Sequence, residues 1–300
     1  MTGKGIHKGK YFPIIASALL ALMIIKAYSA AIPDHRYVIL PDTFSITPRF
    51  APNSTSTMSR HLTGGEAEVR INSRGFRDSE HQSEKDPGNT RILLAGDSFV
   101  FGLWLEANET IGRFLENQSP DVEVISLGMP GANTKKIVSL ILEQGLSYNP
   151  DVIIIQYNIG SDWIPEEKIA FSDPAMRIFR IIQLIDVKAG YQIYHSLLMN
   201  RYRALVFNDA DFKNGVAAPL KQLAGADIPV ILLLYYDNGS PESWRIKTLA
   251  SELGFRTVTT KNIWNTHPRE SLELPDEHPT PLANALVAKE LHSAIYFLGR

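Results

Sequence analysis

From residue 91 onward, short apolar runs alternate with stretches of helical period. Arg91–Ala95, Val122–Leu127, Val152–Tyr157, Val230–Tyr235 and Arg256–Thr259 are each too short for a stable helix, and most are rich in Val, Ile and Leu, which predicts buried strands. Between them, Ile137, Val138, Ile141 and Leu142 share one helical face behind Gly131, with Thr134 expected to cap it. At the far end Thr280 and Pro281 open a helix, Leu282, Leu286, Leu291, Ile295 and Leu298 form its apolar face, and Gly299 closes it. This rhythm predicts an α/β domain over 90–300, a parallel sheet with helices on both faces.

The first 89 residues read differently. Lys4, Lys8 and Lys10 precede an apolar run from Tyr11 to Ile25, then Lys26 and small residues including Ser29 and Ala31. A basic flank before an apolar core predicts export. Residues 1–32 are therefore expected to be a signal anchor or a signal peptide. An anchor gives a single-pass inner-membrane protein with its body in the periplasm; cleavage gives a secreted one. The uninterrupted run falls short of the roughly 20 residues that span a bilayer, and reaches that length if Lys26 snorkels. Residues 33–89 form a lead-in module. Prolines 33, 41, 48 and 52 and the polar run Asn53–Thr57 read as a linker, Glu66–Asn72 as short strands, and Ser79–Asn89 as a surface loop.

Composition narrows the function classes. A net charge of −2 with lysines and arginines spread along 300 residues leaves no nucleic-acid footprint. Zero cysteines excludes disulfides, thiolate metal sites and a cysteine nucleophile. Neither a metal nor a cofactor is expected.

Candidate chemistry begins where the first strand of this domain breaks. Gly96-Asp97-Ser98 follows the apolar run directly, and the carboxyl ends of parallel strands are where such sheets place reacting groups. Ser98 is the candidate nucleophile; Asp97 is expected to shape its turn. A serine hydroxyl needs a base, and Asp276-Glu277-His278 offers an imidazole and a carboxylate just ahead of the last helix. His278 is the candidate base and Asp276 the residue that holds its tautomer. His267, His195 and His292 are read as solvated or packing residues, and Asp162, Glu166 and Glu167 as the polar mouth of a helix.

Gly96-Asp97-Ser98-Phe99, then Val124-Ile125-Ser126-Leu127-Gly128-Met129-Pro130-Gly131-Ala132-Asn133-Thr134, then Asp276-Glu277-His278-Pro279 resemble, in order, blocks of the GDSL or SGNH serine hydrolases. Ile71–Asp78 resembles the lead-in of many bacterial members. The resemblance implies a three-layer α/β/α, flavodoxin-like fold and an acyl-serine mechanism, with the backbone of Gly131 in the oxyanion site. It implies small-molecule, lipid or glycan esters as substrates. The family's Gly-x-Asn-Asp block stands here as Asn158-Ile159-Gly160-Ser161-Asp162. Asn158 faces the same side as Gly160 and is one candidate oxyanion donor; a one-residue slip offers Ser161. Two function classes result: an exported ester hydrolase, or an O-acyltransferase with the same triad; and a catalytically weakened glycan-binding envelope protein. Residues 173–207, apolar and basic by turns, are expected to be two packing helices, or else a lid over Ser98 or a face resting on the membrane.

Overall fold

The computed structural model describes residues 12–31, 50–60, 64–165 and 207–296. The expected faces at Leu298 and Gly299, the stretch 173–207 apart from Phe207, and His195, Glu166 and Glu167 lie outside the described residues. The chain divides into two compact units, Met1–Arg36 with Ala170–Ala204, and Tyr37–Ile169 with Leu205–Arg300.

In the first unit, helix α1 (Phe12–Ala31) carries Ile14, Ile15, Leu19, Leu20, Met23 and Ile24 exposed. Lys26 interrupts it, so the continuous apolar stretch is short. Among the described residues no helix is long and apolar enough to cross a membrane, and the membrane-spanning anchor expected from the sequence is not supported.

The second unit opens with a hairpin, β1 (Thr55–Ser59) antiparallel to β2 (Glu66–Arg70). The run Asn53–Thr57, read as linker, thus enters a strand at Thr55. Threonine is β-branched and suits the pleat, and pairing brings Met58 opposite Ala67, both buried. Met58, Ala67, Val69 and Ile71 form a cluster with Phe50 and Phe101, whose rings stack at 5.1 Å.

Five parallel strands come next: β3 (Thr90–Gly96), β4 (Val122–Gly128), β5 (Val152–Asn158), β6 (Val230–Tyr235) and β7 (Arg256–Thr259). Their order β4-β3-β5-β6-β7 places the first strand between the second and third, the flavodoxin-like arrangement, whose switch point is where such sheets take ligands. Short helices α2 (Ser98–Phe101) and α3 (Ile111–Glu116) come after β3, and α4 (Thr134–Glu143) after β4. α5 (Asp209–Phe212), a π turn over Lys213–Ala217 and α6 (Ala218–Ala224) lead into β6. α7 (Pro241–Glu252), α8 (Lys261–Thr266), α9 (Arg269–Leu272) and α10 (Pro281–Tyr296) complete the unit.

Alternation along the strands sorts the core into two layers. Ile92, Leu94, Ile154, Ile231 and Leu233 pack with Ile111 and Leu115 of α3 and Val287 and Leu291 of α10. Leu93 faces the other side, where Gly145 leaves room for its methyls, and α4 covers β3 there. The fold is a three-layer α/β/α sandwich.

Two helix details differ from expectation. Asn133, not Thr134, caps α4, accepting from the Lys136 N–H, because its extended backbone aims the amide oxygen at the first turn. In α10 the buried stripe runs through Ala283, Asn284, Val287, Ala288, Leu291 and Ala294, while Leu282 is exposed. Small residues let this helix approach α3 closely, and the leucines at 282 and 286 fall at or beyond the edge of the stripe.

Candidate active site

Strand register brings the candidate residues to one end of the sheet. Gly96 pairs with Gly128 and Ala95 with Ile155, so Ser98, the Met129–Gly131 turn and Asn158 all leave neighbouring strands at about the same level. The Met129 N–H donates to the Gly96 carbonyl at 2.9 Å, tying that turn to the strand that precedes Ser98. Packing here is tight. A Cβ on Gly128 would lie 2.3 Å from the Phe101 nitrogen, and one on Gly96 would lie 2.4 Å from Gln156 Oε1.

Ser98 is the first residue of α2, behind Asp97, whose carboxylate accepts from the Phe99 N–H at 2.8 Å. The first N–H groups of a helix have no intrahelical partner, so the Ser98 amide is available to an anion. Gly131 is exposed with φ +75°, a backbone that a side chain rarely tolerates.

His278 Nε2 lies 2.8 Å from Ser98 Oγ across 180 residues of sequence. Its Nδ1 stands 3.0 Å from Asp276 Oδ2. The two are in ion-pair contact but out of line for a hydrogen bond, so Nδ1 lacks an aligned acceptor. Hydrogen bonds in such clefts are commonly long or poorly aligned before a ligand binds. Phe99 packs against the His278 ring, 5.3 Å between centroids with the planes tilted by 57°. Between Asp276 and His278, Glu277 adopts φ +71°, and the Tyr236 hydroxyl donates to its carbonyl at 2.7 Å. Left-handed backbone at a non-glycine costs roughly 1–3 kcal/mol, and here it turns both neighbours toward Ser98.

The Asn158–Asp162 turn is built around buried carboxylates. Asn158 Nδ2 donates to Asp97 Oδ2 at 2.8 Å, and the Asn158 N–H donates to Asp162 Oδ2 at 2.9 Å. Ser161 Oγ donates to Asp162 Oδ1, so that hydroxyl is turned inward. Gly160 is exposed at φ +111°, and its N–H donates to Glu242, which also accepts from the Tyr157 hydroxyl. Burial pushes Asp97 up to about 6, against the pull of the Phe99 N–H, of His278 and of the Asn158 amide. Asp162 is raised well above the usual carboxylate range, first by burial and then by the charge of Asp97. Asp162 is thus an interior residue and not a helix mouth. His267 sits at the end of α8 with Nδ1 3.1 Å from the Ile263 carbonyl, and His292 lies on α10.

Sequence reasoning passed over Trp104. Its indole Nε1–H donates to Asp276 Oδ2 at 2.5 Å across 172 residues. The only local signal was its place in Gly102-Leu103-Trp104-Leu105, just past the turn that carries Ser98. Among the described residues there is no His, Cys, Asp and Glu cluster suited to a metal.

No family model and no curated protein matches the chain. Among solved structures it is similar to a two-domain esterase active on acetylated mannans, at 15% identity and TM-score 0.45, covering 70% of this chain and 49% of that one. The chain therefore spans about half the length of that protein. It is similar to a putative lipolytic protein of the G-D-S-L family from Desulfitobacterium hafniense DCB-2, at 15% identity and TM-score 0.45, covering 68% and 99%. It is also similar to the esterase EstA from Pseudoalteromonas sp., at 14% identity and TM-score 0.45, covering 71% and 100%.

Proposed function

We propose that this chain is a serine ester hydrolase of the GDSL or SGNH type, acting through an acyl-serine. The observation that carries this reading is the 2.8 Å contact between Ser98 Oγ and His278 Nε2, with Asp276 3.0 Å behind the ring. Ser98 Oγ attacks the ester carbonyl carbon while its proton passes to His278 Nε2. The negative charge on the carbonyl oxygen is met by the Ser98 and Gly131 N–H groups, with the second amide hydrogen of Asn158 as the candidate third donor. Collapse breaks the bond to the alcohol, which leaves with the proton from His278. Water then attacks the acyl-serine, gives its proton to His278, and the acid departs as Ser98 regains its hydrogen.

An acyl-serine is competent toward a sugar hydroxyl as well as toward water, so the same residues serve an O-acyltransferase on envelope glycan. The ratio of acid to transferred ester, measured with an acetyl ester and an added sugar, separates the two. Longer acyl esters in the same assay measure pocket depth. In this proposal the chain works outside the cytoplasm, in the cell envelope. The three lysines ahead of α1 support that reading, because a basic flank favours export of the chain beyond the apolar run. Fractionation of a tagged chain distinguishes a retained segment from a cleaved one.

The test of the chemistry is labelling by a fluorophosphonate, which reacts only with an activated serine. Labelling of the wild type and none of Ser98→Ala or His278→Ala is expected. A wild type that resists the probe and hydrolyses no ester defeats the enzyme reading and leaves the glycan-binding one.

A further inference from the structure

The carboxylate of Asp276 faces two rings at once. Its Oδ2 lies 2.5 Å from the Trp104 indole nitrogen and 3.0 Å from His278 Nδ1, while Oδ1 accepts from the His278 backbone N–H at 3.4 Å. An indole N–H donates and never accepts, so it cannot take the Nδ1 proton; it occupies one lone pair of the Oδ2 that His278 Nδ1 faces and leaves another for the ring.

The indole is itself fixed from several directions. Trp104 is 4% exposed, packs with Leu105 and Leu274, and sits at φ +70°. Its backbone N–H donates to Met58 Sδ at 3.3 Å, and Met58 belongs to the buried face of the β1-β2 hairpin. The Arg77 guanidinium clamps the same loop, donating to the carbonyls of Phe101, Gly102 and Leu105. A bulky residue persists in left-handed backbone only where its surroundings over-determine it. Here they are the hairpin and the Arg77 clamp.

We infer that Trp104 is a positioning residue, fixing the carboxylate rotamer of Asp276 and through it the His278 ring, and that the lead-in module braces this contact through Met58 and Arg77. A buried tryptophan merely satisfying its N–H on the nearest acceptor is the alternative, and it predicts no dependence on Asp276. The kinetic arm rests on the esterase reading; the spectroscopic arm does not.

Trp104→Phe keeps most of the ring and removes the donor. Combined with Asp276→Asn it forms a cycle that isolates the coupling. The expected result is about a tenfold or greater fall in kcat and in the rate of fluorophosphonate labelling for Trp104→Phe, with KM unchanged, and no further loss when the change is made in Asp276→Asn. In proton NMR one of the four indole resonances, missing in Trp104→Phe, is expected to move in Asp276→Asn while the others hold. An equal penalty for Trp104→Phe with and without the Asp276 carboxylate overturns the inference, as does a Trp104 resonance indifferent to Asp276. A moved resonance in a protein that neither labels nor hydrolyses esters sustains the contact and defeats the esterase reading alone.

Discussion

The side-chain amide of Asn158 donates to the carboxylate of Asp97 at 2.8 Å, joining the end of β5 to the residue immediately before Ser98. Asp97 in turn caps α2 through the Phe99 N–H. Asn158 therefore supports the serine's turn from behind, whatever its second amide hydrogen does. Asn158→Ala removes both the brace and a candidate oxyanion donor, and a fall in kcat of about 100-fold or more with little change in KM is expected. Steady-state kinetics on a simple acetyl ester checks it.

The proposed triad is expected to give the largest effects. Ser98→Ala and His278→Ala are expected to bring ester hydrolysis to background, and Asp276→Asn to lower kcat by about 10⁴-fold. Melting temperatures should stay close to wild type, since none of the three side chains is part of the apolar core.

Gly128 tests the packing beneath the site. A methyl there would meet the backbone of Phe101 at 2.3–2.5 Å, and backbone cannot swing aside. Gly128→Ala is expected to destabilise the fold by about 2–3 kcal/mol or to prevent it. Gly160→Ala meets nothing within 4 Å and suffers only from its φ of +111°, so urea midpoints should rank the two clearly.

Buried carboxyls reverse the usual acid dependence. Burial raises Glu242 to about 7 and Asp97 to about 6. A carboxyl with a raised folded-state pKa holds its proton more tightly when folded. Its contribution is full below the ordinary carboxylate range and fades as pH climbs to the raised value. Glu242→Gln removes one such titration, so relative to wild type it should gain stability between about pH 4.5 and 7.5. Denaturant midpoints at those two pH values measure the sign.

His81 titrates with the opposite chemistry. Its ring bridges Asp78 and Glu123, with Nε2 at 3.0 Å and Nδ1 at 2.9 Å. Burial pulls its pKa down, but the hydrogen bonds and charges of those two carboxylates outweigh it and the net shift is upward. The stabilisation is then fully present below about 6.5 and is lost as pH rises through the raised value. His81→Gln should cost more stability at pH 6 than at pH 9, and loosen the 73–86 loop from β4, read by amide exchange.

Periodicity alone located the five parallel strands to within a residue at each end, and the order of three short blocks singled out Ser98, Gly131 and His278. These features are local, since burial of a strand and the break of a turn are written in consecutive residues. Other features depended on partners far along the chain. The polar run ahead of Met58 enters a strand at Thr55 because Ala67 and Val69 on the paired strand offer Met58 a covered face. Helix α10 buried Ala283, Ala288 and Ala294 beside Leu291 and left Leu282 outside because α3 lies close, and no helical wheel contains that neighbour. The hydrogen bonds of Asn158 to Asp97 and of Trp104 to Asp276 join segments separated by 61 and 172 residues. The sequence by itself determined which residue types reach the end of each strand. Which of them touch was decided by strand order and close packing, because a hydrogen bond depends on tenths of an ångström that only the assembled fold fixes.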